Sequence, residues 1–193
     1  MDYIIRRANE NEKNQVAEVF AKSFAEDFAV LANGVDNVAK IFENGVNVSR
    51  ILVAEQNGKL VGAIGCGDCS NRAFYVTKKD CRIYLSFFRA FLASAVFSEE
   101  FVKPFPHPAN VGYIDFLGVL EEARGQGIAK ALLARVVEHF PQYDEFILDV
   151  TDVNTIAIKL YENVGYVEYE RIRSKWAKYG AGFKDKVWMR YTK

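Results

Sequence analysis

Neither sign of charge prevails in this chain: lysine and arginine number 25, aspartate and glutamate 25, and the formal net charge is +0. Proteins that live on nucleic acid or on an anionic membrane are rewarded for a basic surface, so the balance argues against both partners. Cysteine is scarce and odd in number, with Cys66, Cys69 and Cys81, which in a reducing compartment argues against disulfides. A zinc site built from Cys66, Cys69 and Cys81 would need His107 from a distant proline-rich stretch, so reduced thiols at a strand end are the expectation, without a metal. The longest apolar run, Ile83 to Phe97, includes Arg89 and falls short of the roughly 20 residues needed to cross a bilayer; it reads as a core helix. Met1-Asp2-Tyr3 leads to Arg6-Arg7 with no hydrophobic segment of the signal-peptide kind, so a cytoplasmic location is expected. Internal repeats, coiled-coil heptads and low-complexity tails are missing. So is the Gly-x-x-x-x-Gly-Lys run of a P-loop.

What remains is a chain of 193 residues, half of them hydrophobic, with ample material for one core. Residues 1–193 are therefore read as one domain. Tyr3 to Arg6 has strand character, and Asn9 followed by Glu12 is a capping-box start for a helix reaching about Phe28, with Val16, Val19, Phe20 and Phe24 inward. A second helix is expected over Val35 to Gly45. Ile51 to Glu55 and Leu60 to Ile64 flank Asn57-Gly58, the signature of a hairpin with a type I′ turn. From about 69 to 110 the chain carries an aromatic-rich stretch with a helix expected from Arg82 to Phe97. Phe74, Tyr75, Tyr84, Phe87, Phe88, Phe91, Phe97, Phe101 and Phe105 lie there, either as core or as the lining of a pocket.

The most informative stretch follows. Arg124-Gly125-Gln126-Gly127-Ile128-Ala129 joins a strand, Gly112 to Val119, to a helix beginning near Gly127. A helix start leaves about four N–H groups without intrahelical partners and carries roughly half a positive charge, so an anion settles there. Gly125 and Gly127 remove side chains that would hold a diphosphate away from those donors, and Arg124 adds a permanently charged fork. A dinucleotide fingerprint would need a third glycine where Lys130 stands.

After the apolar run Phe146-Ile147-Leu148-Asp149-Val150 comes Asn154-Thr-Ile-Ala157, then Tyr161, then Gly165-Tyr166. Asn154 stands where a helix begins and its amide can cap it or reach a ligand; Ala157 and Tyr161 share a helical face; Gly165 ends the helix as a left-handed cap. A strand to about Arg173 and a last strand, Lys186 to Tyr191, complete the reading.

The two segments together resemble the GNAT (GCN5-related N-acetyltransferase) superfamily: the glycine turn resembles its R/Q-x-x-G-x-G/A loop, and the later segment its N-x-x-A-x-x-x-Y-x-x-x-G-[FY] element. The resemblance implies an α/β (α+β) fold, a mixed central sheet of about seven strands flanked by helices, with a helical insertion between strands three and four. It implies acetyl-CoA as cosubstrate and transfer of its acetyl group to a primary amine by direct attack in a ternary complex. By the same resemblance the diphosphate would sit on the N–H groups of Arg124, Gly125, Gln126, Gly127, Ile128, Ala129 and Lys130. The pantetheine arm would pair as an extra strand with Leu117, Gly118 and Val119, with Asn154 also binding it and the Val119 N–H facing the thioester carbonyl. Tyr161 would face the departing sulfur. Asp115, four residues before Val119 and so expected on the same face, is the candidate acceptor of the amine's proton. Glu26 and Asp27 are alternatives, and His139 is expected to be structural. An amine of a small molecule or peptide is the expected partner, and a homodimer stays open. A non-catalytic acyl-CoA-binding sensor of the same fold is the competing reading, which Tyr161 argues against.

Overall fold

The computed structural model describes residues 2–25, 34–86, 90, 106–174 and 182–193. β1 (Tyr3–Arg7) is followed by α1 (Lys13–Ser23) and α2 (Val35–Glu43), then by β2 (Ile51–Gln56) and β3 (Lys59–Gly67). A short α3 (Lys78–Tyr84) precedes β4 (Val111–Val119), α4 (Ile128–His139), β5 (Glu145–Thr151), α5 (Thr155–Val164), β6 (Val167–Arg173) and β7 (Asp185–Thr192). The strands form one mixed sheet in the order β1-β2-β3-β4-β5-β7-β6.

Local chemistry sets the boundaries. Asn9 and Glu12 form the capping box expected of them, with the Asn9 N–H donating to Glu12 Oε2 at 2.7 Å. That carboxylate is also held by Arg6, 2.5 Å away, which ties the entry of α1 to β1. The β2–β3 turn has Asn57 at φ 52° and Gly58 at φ 75°, the left-handed pair a type I′ turn requires. The helix expected from Arg82 starts earlier, at Lys78, because Thr77 and Asp80 form a capping box there, and it ends at Tyr84. Its expected continuation to Phe97 falls mostly outside the described residues, as do Phe28, Phe87, Phe88, Phe91, Phe101 and Phe105.

Two cores flank the sheet. On one face α1 and α2 bury Val16, Phe20, Val38, Ile41 and Phe42 against Phe74 and Phe116, with the Phe20 and Phe42 rings 4.6 Å apart and Phe74 and Phe116 4.8 Å apart. Phe74 is thus part of the core. Cys81 also belongs to this face, whereas Cys66 is buried in the opposite core, so the sheet stands between them. On that second face α4 presents Ile128, Leu132, Leu133 and Val136 to Leu52, Ile64, Ile114 and Phe146, and α5 packs beside it. Each of these fully buried branched side chains contributes about 1.5–3 kcal/mol of transfer free energy. They hold the start of α4 down on the face of the sheet.

Candidate active site

The sheet opens where the two motifs meet. β4 and β5 run parallel but pair only through Val111, Gly112 and Tyr113 against Glu145, Phe146 and Ile147; beyond that point the strands part. The backbone beyond the fork can be read from its other neighbour. The Leu120 N–H donates to Val61 O at 2.9 Å, so in the antiparallel β3–β4 ladder the hydrogen-bonded pairs alternate from there. Gly62↔Val119 and Ile64↔Leu117 are then the non-hydrogen-bonded pairs, whose N–H and C=O groups turn away from β3. Leu117 and Val119 therefore present main-chain groups to the gap, as a strand waiting for a partner does. The Val119 carbonyl accepts from Arg124 Nε at 3.2 Å, which folds Arg124 back over the end of β4.

The turn after β4 then delivers the helix start. Gly125 and Gly127 both adopt left-handed backbone, φ 76° and φ 80°, and a Cβ built at either meets nothing within 4 Å. Their glycine character thus answers to backbone conformation and to an open approach, not to packing. The first helical bond of α4 runs from the Ala131 N–H to Gly127 O at 3.0 Å, so the N–H groups of Ile128, Ala129 and Lys130 lack intrahelical acceptors. Ile128 itself is buried, with its Cγ2 3.1 Å from where a Cβ on Gly62 would lie. That close approach sets the positive end of the helix beside the mouth of the gap. A diphosphate fits this cradle by charge and by donor count, and an extended amide chain fits the outward edge of β4.

From the other side comes α5. The Asn154 side-chain oxygen accepts from the Ala157 N–H at 3.1 Å, so it caps the helix and leaves its NH2 group for another partner. Gly165 closes the helix at φ 103°. One helical turn along from Ala157, Tyr161 packs its ring 5.9 Å from that of Tyr166. The Tyr161 hydroxyl forms no hydrogen bond among the described residues, and burial, helped by the nearby Asp149 charge, raises the phenol well above its ordinary value. A phenol so placed stays protonated at neutral pH and is a donor.

Asp115 requires a correction. In the β3–β4 register Gly65 pairs with Phe116 and Cys66 with Ile114, so Asp115 is the extra residue of a β-bulge. The bulge shifts the side-chain alternation: Leu117 and Val119 pack toward α4, whereas Asp115 turns to the α1 face. There its Oδ1 is 2.5 Å from Arg72 Nε and its Oδ2 accepts from the Ala73 N–H at 2.6 Å. Its side chain is 0% exposed. Burial raises it to about 6, against the lowering effect of Arg72. The shared face with Val119 expected from the period of two is lost.

A further acid stands close by, outside both motifs. Asp149 of β5 accepts from the Tyr113 hydroxyl at Oδ1 and lies 3.1 Å from Lys186 Nζ at Oδ2. Its signal in the sequence is a charge inside Phe146-Ile147-Leu148-Asp149-Val150, which costs too much to bury without a partner or a purpose. Glu26 and Asp27 lie outside the described residues. His139, at the far end of α4, keeps Nδ1 3.0 Å from Arg135 O and is remote in the chain from both motifs.

Comparison with known proteins gives a consistent result. A family model described as the acetyltransferase (GNAT) family matches residues 18–166. The chain is 33% identical over 75 residues to N-alpha-acetyltransferase 30 of Saccharomyces cerevisiae, which covers 38% of this chain and 43% of that protein, less than half its length. The N-acetyltransferase from Staphylococcus aureus Mu50 superposes with a TM-score of 0.64 at 18% identity over 97% of this chain and 100% of that one. A ribosomal-protein-alanine N-acetyltransferase from Brucella melitensis gives 0.61 at 17% identity, covering 98% and 99%. A Salmonella typhimurium structure that includes its cofactor acetyl-CoA gives 0.62 at 16% identity, covering 100% and 94%. At these identities the likeness is one of fold.

Proposed function

The chain belongs to the acetyltransferase (GNAT) family, and from that premise we propose that it transfers the acetyl group of acetyl-CoA to a primary amine. The observation that carries the reading is the conjunction of an unpaired edge on β4 with an anion-ready helix start at its end. The diphosphate would be held by the main chain of Arg124 through Lys130, and the pantetheine arm by the outward groups of Leu117 and Val119, with the Asn154 NH2 as a further donor. When bound, acetyl-CoA supplies an acyl carbon already activated as a thioester.

The residues of the chain do the rest. An arm anchored at the loop meets Val119 first and Leu117 next, so its reactive end comes toward the fork. Between Val119 and Asp115 lie about 14 Å of strand, enough for an extended chain. The resemblance gave the acyl carbonyl to the Val119 N–H; the Leu117 N–H, nearer the fork, is the donor this reading prefers, and neither requires a special side chain. Tyr161 donates a hydrogen bond to the departing sulfur. A thiol ordinarily titrates near ~8.5, below a phenol at ~10, so the phenol steadies the thiolate rather than protonating it outright. The buried face of α4 closes that side.

The acceptor presents an amine, and the name of the yeast relative makes the α-amine of a polypeptide the first class to test. The competing reading is an acyl-CoA sensor without turnover. A thiol-release assay with acetyl-CoA and a panel of amines, including short peptides with free α-amines, separates the two. Thiol release that depends on the amine supports the transferase; tight acetyl-CoA binding without release across the panel supports the sensor.

A further inference from the structure

We propose that the outer edge of β6 docks a second copy of this chain, the two β6 strands pairing antiparallel so that one sheet runs on through both copies. The proposal stands apart from the acetyl-transfer reading. β6 closes the strand order, and no described strand pairs with it on the side away from β7. Six of its seven side chains are exposed, and Tyr169 is half-buried. An edge so open is a template for another strand.

The ladder with β7 shows which main-chain groups the edge offers. The Ser174 N–H donates to Lys184 O at 3.0 Å, so that pair is hydrogen-bonded and the pairs before it alternate. Arg173↔Asp185 and Arg171↔Val187 are then non-hydrogen-bonded, and on β6 their N–H and C=O groups turn outward. Tyr169 is the extra residue of a bulge, between the pairs Glu168↔Met189 and Glu170↔Trp188. β7 keeps its step there. Met189 stands two residues beyond Val187 and repeats its orientation, so Glu168 also presents its main chain outward.

Those groups are self-complementary about a twofold axis between Tyr169 and Glu170. In that register Glu168 of each copy lies opposite Arg171 of the other, and the outward groups of both can exchange N–H···O=C bonds. Within one copy Arg171 already holds Glu168 through Nε and Nη2, each at 2.9 Å. Pairing would set four charges of alternating sign around the axis. On the opposite face the same register brings Val167 against Ile172 of the second copy, two apolar side chains exposed by 62% and 45%. Exposed ion pairs add little strength, so the charges select partner and register while the main chain and the apolar pairs hold.

The bulge decides between a second copy and a foreign strand. Bulges ordinarily protect an edge, because a regular strand cannot follow the altered spacing between outward groups. Here those groups, on Glu168 and Arg171, are three residues apart instead of two. A second β6 carries the same irregularity at the matching place. The contact is then isologous, the same patch on both copies, and closes as a dimer.

Sedimentation velocity of the full chain over a series of concentrations tests the proposal, with circular dichroism as the check on folding. Wild type should show a monomer–dimer equilibrium. Glu168→Arg and Arg171→Glu change exposed side chains, and each sets like charges face to face across the axis, so each should raise the dissociation constant at least about tenfold. Mixing the two variants restores opposite charges at both contacts, and a heterodimer should form with the affinity of wild type. A purely internal Glu168–Arg171 pair would gain nothing from mixing. If either charge variant fails to fold, Ile172→Lys decides the matter, with the same tenfold weakening expected from the lost apolar pair. A wild type that stays monomeric at every concentration, a dimer indifferent to these substitutions, or a mixture of folded charge variants that stays monomeric overturns the proposal.

Discussion

Arg72 Nε and Asp115 Oδ1 are 2.5 Å apart in side chains exposed by 6% and 0%, an ion pair sealed beneath the α1 layer. Breaking such a pair from one side leaves a buried charge without compensation, at a cost of about 3–5 kcal/mol. Arg72→Met should therefore destabilise the protein by that order in chemical denaturation near neutral pH.

The same pair fixes a pH dependence. Burial raises the Asp115 carboxyl to about 6 from 3.8, so the native state binds its proton more tightly than the unfolded chain does. Its contribution to stability is fully present below the unfolded value and is lost as pH rises through about 6. In Arg72→Met the lowering influence of the guanidinium is gone and protonation relieves the orphaned charge. The stability gap between wild type and variant should narrow as the solution is acidified from mildly alkaline to mildly acidic pH, and a constant gap would contradict the account.

The Tyr161 hydroxyl makes no protein hydrogen bond among the described residues, so removing it leaves no group orphaned. Tyr161→Phe should lower kcat by roughly ten- to a thousandfold while acetyl-CoA affinity changes little. Calorimetry beside steady-state kinetics checks both halves. Unchanged turnover removes the phenol from the mechanism.

Asn154 has two separable tasks. Its oxygen caps α5, which is worth about 1 kcal/mol, while its NH2 group is assigned to the ligand. A carboxylate at this position cannot serve both: Asn154→Asp keeps the cap and loses the donor. Thermal stability should hold and acetyl-CoA affinity should fall by about tenfold, the equivalent of ~1.4 kcal/mol. Equal losses in both would mean that the residue is only a cap.

Much of this arrangement was legible in the residues, because it depends on local rules. Gly127 and Gly165 sit at left-handed helix ends, Asn57-Gly58 makes the hairpin, and the stripe of Ile128, Leu132 and Val136 faces the sheet, each as spacing dictates. The misplaced residue was Asp115. A period of two carries a face along a strand only while the ladder is regular, and one inserted residue at the bulge inverts it without altering the composition of the strand. Arg72 is silent in the sequence for a related reason: its partner is a strand away and no local pattern joins them. Asp149 was visible as a charge in an apolar run, but its meaning depends on β5 parting from β4, which is a property of the assembled sheet.

The cradle at the head of α4 admits a blunt test by substitution. A side chain at Gly127 would project into open space, with a strain of about 1–2 kcal/mol for its left-handed backbone. Gly127→Glu should therefore remain folded, by circular dichroism, yet lose acetyl-CoA affinity by at least about a hundredfold through a carboxylate set against the diphosphate.

The most direct measurement is a crystal structure of the protein with acetyl-CoA. The account predicts diphosphate oxygens within about 3 Å of backbone N–H groups between Arg124 and Lys130, and pantetheine amides paired with Leu117 and Val119. A diphosphate bound away from that turn, or an arm that leaves the β4 edge untouched, would contradict it.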